Sequence, residues 1–150
     1  MRNTWKSLLV PVLVAPLFGG ALTLEVVNPN SNVEAAKQHA AVIVQTTACT
    51  SPEKTTITAT AEGVTAGKRQ SVPLELIRLS EPGKFAIAKT WPTNGQWVLR
   101  VIAKNPDYHG YAAGAIIPIR GNEPDWKAVQ RLYRAPTADD VNAAIHAAVD

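Results

Sequence analysis

Residues 85–103, FAIAKTWPTNGQWVLRVIA, constrain the fold more than any other stretch of this chain. Side chains alternate across a pleated strand, so Phe85, Ile87 and Trp91 share one face of a first strand. Trp97, Leu99 and Val101 share one face of a second. Pro92, Asn94 and Gly95 lie between them, and Asn-Gly suits the positive φ of a tight turn. The stretch predicts a β-hairpin within an antiparallel β-sandwich. Trp91 and Trp97 are expected as core plugs, with Trp97 and Leu99 facing Ile57, Leu74 and Ile117.

Further strand signals recur at the short spacing of a sandwich or barrel. Ala40 to Thr47 is rich in β-branched residues. Lys54 to Ala61 sets Ile57, Ala59 and Ala61 against Thr56, Thr58 and Thr60, and Gly63 is expected to end that run. Ser71 to Leu79 carries Val72, Leu74 and Leu76 on one parity before shifting to Ile77 and Leu79, which predicts a bulge or a strand end near Ile77. Pro73 donates nothing to a ladder, so this strand is expected at an edge or with that position facing solvent. Tyr111, Ala113, Ala115, Ile117 and Ile119 fall in register on a last strand, with the small Ala112 and Gly114 opposite. The short connections exclude crossover helices and so a parallel βαβ architecture.

The two ends differ from this middle. Arg2 and Lys6, the apolar run Leu8 to Phe18 and the small Gly19-x-Ala21 predict an export signal over residues 1–21, with a mature chain starting near Leu22. The rival is an uncleaved membrane anchor, disfavoured by Pro11, Pro16, Gly19 and Gly20. Residues 22–38 are expected as a linker, 39–121 as the sandwich domain and 122–150 as a helical tail. In that tail Pro124 suits a helix start, with Trp126, Val129 and Leu132 or Tyr133 at helical spacing, and Pro136 ends it. Thr137-x-x-Asp140 resembles a capping box ahead of a Val141/Ile145 stripe, predicting a second short helix that packs weakly or frays.

Composition narrows the function classes. The pI is about 9.2, but removing Arg2 and Lys6 lowers the formal charge from +3 to +1. The remaining basic residues interleave with acids, which excludes the clustered basic stripe of a nucleic-acid reader. Cys49 is the only cysteine, so an exported domain here is held by its core without an intrachain disulfide. Catalytic motifs are missing: there is no G-x-S-x-G serine, and the Asp139-Asp140 pair is explained by a helix start. No cofactor is expected.

Two residue groups remain as sites. The segment Asn105 to Tyr111 joins two core strands and is longer and more aromatic than the other turns. Asp107, Tyr108 and His109 are its binding candidates, with Tyr108 as the anchor, because tyrosine joins a large contact area to a polar tip. Turn chemistry at Asp107 and Gly110 is the plainer explanation of the same residues. The alternative site is a metal centre from His39, Cys49 and His109, although the three histidines are widely spaced and Met1 is the only methionine.

The stretch Gly83 to Val101, in which a strand ends in proline, a short loop carries glycine and an aromatic opens the next strand, resembles the closing hairpin of small exported sandwich domains. These include the prealbumin-like (carboxypeptidase regulatory-like) modules and the FixH/YtkA-like periplasmic families. The resemblance covers at most residues 40–120 and implies an antiparallel immunoglobulin-like or prealbumin-like sandwich of about six or seven strands. The FixH-like likeness implies copper delivery and oxidase assembly. The expectation is an exported, non-enzymatic accessory or interaction protein of the bacterial periplasm or envelope. It would meet a protein or envelope partner and no nucleic acid, with membrane contact only through an uncleaved N-terminal segment. The alternative is a periplasmic copper- or metal-handling factor.

Overall fold

The computed structural model describes residues 21–47 and 50–148. Among these residues the chain forms β1 (Thr23–Val27), α1 (Val33–Lys37), β2 (Ala40–Thr47), β3 (Thr56–Thr65), β4 (Lys68–Pro73), β5 (Leu76–Arg78) and β6 (Lys84–Ala88). It continues as β7 (Gln96–Lys104), β8 (Ala112–Arg120), β9 (Glu123–Pro124), β10 (Gln130–Leu132) and α2 (Ala138–Ala147). One sheet runs β1-β2-β6-β5 and the other β10-β8-β7-β3-β4, with β9 also on β8. Every pairing is antiparallel. The fold is an all-β sandwich. Its order matches that of an immunoglobulin domain, whose A, B, E and D strands correspond to β1, β2, β6 and β5, and whose C, F and G strands correspond to β3, β7 and β8. Here β4 adds an edge beside β3, and β9 and β10 add pairing beyond it on β8.

The alternating residues of the two inner faces make one core. Leu24, Val44, Ile57, Leu74, Ile87, Trp97, Leu99 and Ile117 all belong to it. Trp97 is 2% exposed and seats over Gly63, its cross-strand partner. A Cβ on Gly63 would stand 2.6 Å from the indole Cε3 and 2.3 Å from Gln96 O. Gly63 therefore lies inside β3 and clears space for the tryptophan; it does not end the strand. The outer faces are also covered in two places. Ala35 of α1 packs with Ile43, Leu79 and Ala86, while Val141, Ala144 and Ile145 of α2 pack on Val98 and Ile116.

The 85–103 stretch is not a hairpin. Phe85 and Ile87 lie in β6, which pairs with β2 and β5, whereas β7 pairs with β3 and β8. The turn at Pro92 to Gly95, with Gly95 at φ 92°, carries the chain from one sheet to the other. Alternation reports which side chains face inward, and both members of a hairpin and both sides of an inter-sheet corner satisfy it. The parity shift in Ser71 to Leu79 has the same cause. β4 ends at the edge-strand residue Pro73, and β5 begins at Leu76 in the opposite sheet.

The ends depart further from the sequence expectation. Within the expected linker 22–38, Thr23–Val27 pairs with β2, and Leu22, Leu24 and Val26 are buried. The first tail helix does not form. Gln130–Leu132 instead pairs with Ile116 to Gly114 of β8, and Pro124 pairs with Ile119. A free sheet edge offers that short segment backbone partners, and a helix confined between two prolines is too short to compete. The second helix forms with Thr137 and Asp140 in a reciprocal capping box. Its Val141, Ala144 and Ile145 are buried, so it packs firmly on the sheet rather than fraying. The expected export signal up to Gly20, with Trp5 in it, and Cys49 lie outside the described residues.

Candidate functional site

Asn105, the first residue of the β7–β8 loop, organises that loop from inside. It is 3% exposed, and its amide Nδ2 donates to Ser51 O at 2.8 Å and to Thr55 Oγ1 at 3.3 Å. Its Oδ1 accepts from Asp107 N at 2.9 Å, capping a single 3-10 turn over Pro106–Tyr108. One buried amide thus joins the β7–β8 loop to the connection between β2 and β3. Thr46, at the end of β2, extends the network to Thr55 through its hydroxyl, and its backbone N–H donates to Gly83 O in the β5–β6 turn. Three connections meet at this end of the sandwich, as loops do in immunoglobulin domains.

Electrostatics pins the outside of the same loop. Lys54 Nζ donates to both Asp107 carboxylate oxygens, at 3.1 and 3.3 Å. A side-chain hydrogen bond from Ser51, and then that of Lys54, hold the Asp107 carboxyl below its ordinary value of 3.8. Asp107 is therefore engaged in holding the loop. Tyr108 is half-buried and packs against the core, so it is not the loop tip. The tip is His109, Gly110 and Tyr111, closed by Tyr111 N donating to Tyr108 O at 2.7 Å, with Gly110 at φ 82°. Tyr111 is 73% exposed. The expected inward register of Tyr111 fails because β8 begins one residue later, at Ala112.

Of the sequence candidates, Asp107, Tyr108 and His109 share this loop. The metal set does not assemble in the same way. His39 precedes β2 and His109 lies beyond the end at which β2 finishes, and eight residues of β2 separate those ends by about 24 Å at roughly 3.4 Å per residue. Cys49 lies outside the described residues, and among the described residues no group of three His, Cys, Asp or Glu side chains is placed to hold a metal. The sequence includes Asn105 in the loop but does not reveal Ser51 and Lys54 as its partners. The Asn-Pro-Asp pattern carries a capping signal for Asn105, but nothing local couples Lys54 to Asp107 across fifty-three residues.

Two other surface features stand apart. A groove of about 460 Å³ runs between the edge strands β1 and β10, lined by Thr23, Glu25, Leu132 and Tyr133. Arg131 crosses it to donate to Val26 O at 3.3 Å. At the end opposite the β7–β8 loop, Trp126 stands between two further hollows.

The chain matches no family model, no curated protein and no solved structure. The site's own geometry therefore carries the functional reading.

Proposed function

We propose that this protein is an exported, non-enzymatic recognition module of the bacterial periplasm or envelope that engages a protein partner through the β7–β8 loop. One observation carries the reading: a tyrosine that is 73% exposed sits on a loop fixed from both sides, by the buried Asn105 amide and by the Lys54–Asp107 pair. Exposed tyrosine on a preorganised loop offers contact area at low entropic cost, because little freedom remains to be lost on binding. Tyr111 is the contact residue in this reading, His109 a neighbouring hydrogen-bonding group, and Tyr108 the packed base beneath them.

Site-specific photo-crosslinking in the native host tests it. A photoreactive residue at position 111 should give one discrete protein adduct, and the same residue at Lys68, on the β3–β4 hairpin, should give none. With the partner identified from that adduct, Tyr111→Ala should weaken its affinity by about tenfold or more, as loss of an aromatic hot spot does. The melting temperature should not change. Equal affinity of wild type and variant, or the same adducts from both positions, would return the loop to a purely structural role.

A further inference from the structure

We propose that Trp126 is the platform of a binding site for a neutral oligosaccharide, at the end of the sandwich opposite the β7–β8 loop. Of the three tryptophans among the described residues, Trp91 and Trp97 are 4% and 2% exposed, whereas Trp126 is 37% exposed. A locked turn holds it out. Pro124 is buried and pairs with Ile119, and Asp125 N donates to Pro118 O at 2.8 Å. Asp125 then closes the turn by accepting Lys127 N on its carboxylate and Ala128 N on its carbonyl. The indole is thus carried on backbone tied to a central strand, and it borders open space on two sides. One hollow, of about 470 Å³, includes Arg120, Asp125 and Lys127; the other, of about 340 Å³, includes Asn28, Asn30 and Glu123.

The chemistry of those walls selects the ligand. A pyranose ring has an apolar C–H face that stacks on an indole and a rim of hydroxyls that both donate and accept. Side-chain amides both donate to and accept from such hydroxyls, and carboxylates accept from them. Asn28 Oδ1 accepts from Asn30 N at 2.9 Å, which fixes the first amide, and the Asn30 side-chain amide makes no hydrogen bond to another described residue. Apart from Lys127, the charges around the indole already neutralise one another. Arg120 pairs with Asp125 at 3.2 Å, and Lys89 pairs with Glu123 at 2.6 Å. An anionic ligand would have to break those pairs or rely on Lys127 alone. An uncharged, hydroxyl-rich ligand leaves them in place, and this complementarity points to a neutral glycan. The site shares no residue with the β7–β8 loop, so either proposal can fail without the other.

The test uses chitohexaose, cellohexaose and laminarihexaose with the folded protein, followed by the indole N–H resonances in NMR and by calorimetry. One of the three should shift the Trp126 resonance and leave those of Trp91 and Trp97 in place. Trp126→Ala should weaken that binding by about tenfold or more, with an unchanged melting curve because the side chain lies outside the core. Trp126→Phe should keep affinity within about threefold of wild type, since a stacking face remains. Asn30→Ala should weaken binding several-fold. The proposal is overturned if none of the three moves the Trp126 resonance at millimolar concentration, or if Trp126→Ala binds as well as wild type. Tighter binding of a proline-rich decapeptide at the same indole also overturns it, assigning the platform to a polyproline segment instead.

Discussion

Gly63 and Trp97 form a unit in which a missing side chain matters as much as a present one. Replacing Trp97 with alanine empties the space over Gly63 and should cost about 3–5 kcal/mol. Gly63→Ala should itself cost about 1–3 kcal/mol, because the added methyl meets Gln96 O and the indole and one of them must shift. Urea titrations of both variants check this, and an unchanged midpoint for Gly63→Ala would show that the indole moves freely. A second residue-scale test concerns Asp140, which accepts from Arg134 Nη2 at 3.0 Å and from Thr137 N at 2.7 Å. Those bonds, led by Arg134, hold its carboxyl far below 3.8. A carboxyl depressed by folding stabilises the native state above its unfolded value. It loses that contribution as pH falls through the folded value. The melting-temperature gap between wild type and Asp140→Asn should therefore be full at pH 7 and narrow steadily below about pH 4. A gap that is constant with pH would place the effect in packing instead.

Strands were far more legible in the sequence than their neighbours. The parity of Ile57, Ala59 and Ala61, of Trp97, Leu99 and Val101, and of Ala113 to Ile119 identified inner-face residues correctly, because burial imposes a period of two on each strand separately. Which strand pairs with which is a property of two distant segments, and the β6–β7 corner shows that an ideal turn sequence can join different sheets. The tail illustrates the same point for helices. Thr137 and Asp140 write their capping box locally, and α2 is where it predicts. Trp126, Val129 and Leu132 mimic a helical stripe, yet Val129 and Leu132 reach the two different cores flanking β8, and Trp126 stays outside. Of the candidate loop, its position and its aromatic content were readable; its fixation by Lys54 and Ser51 was not. At this scale α2 is the element whose contribution is easiest to measure. Ile145→Ala removes a side chain that is 4% exposed against Val98 and Ile116, and should cost about 2–5 kcal/mol in urea denaturation. A loss under about 0.5 kcal/mol, the range of surface changes, would show that the helix sits loosely on the sheet.

On the scale of the whole molecule, the two proposed contact regions lie at opposite ends of one rigid sandwich. The network of Asn105, Thr55 and Thr46 ties three connections together at one end, while the Trp91 indole donating to Asn122 at 3.0 Å ties the β8–β9 turn to the other. The chain reaches this arrangement by changing sheets between β2 and β3, between β4 and β5, and again between β6 and β7. The first two crossings each leave a strand waiting for a neighbour that comes much later: β2 waits for β6, and in β3 Ile57 waits for Ala103. The first sheet is complete only at Ala88 and the second only at Leu132, so neither forms from neighbouring strands alone. Loop closure must precede the reward of pairing, so folding should fall on the millisecond-to-second scale of non-local β proteins. Stopped-flow refolding, read by the burial of Trp91 and Trp97, should show this slow phase, and completion within microseconds would contradict it. A chain with this wiring stays open for most of its own synthesis, a form in which it can still be threaded end-first through a narrow passage before its last strands let it close.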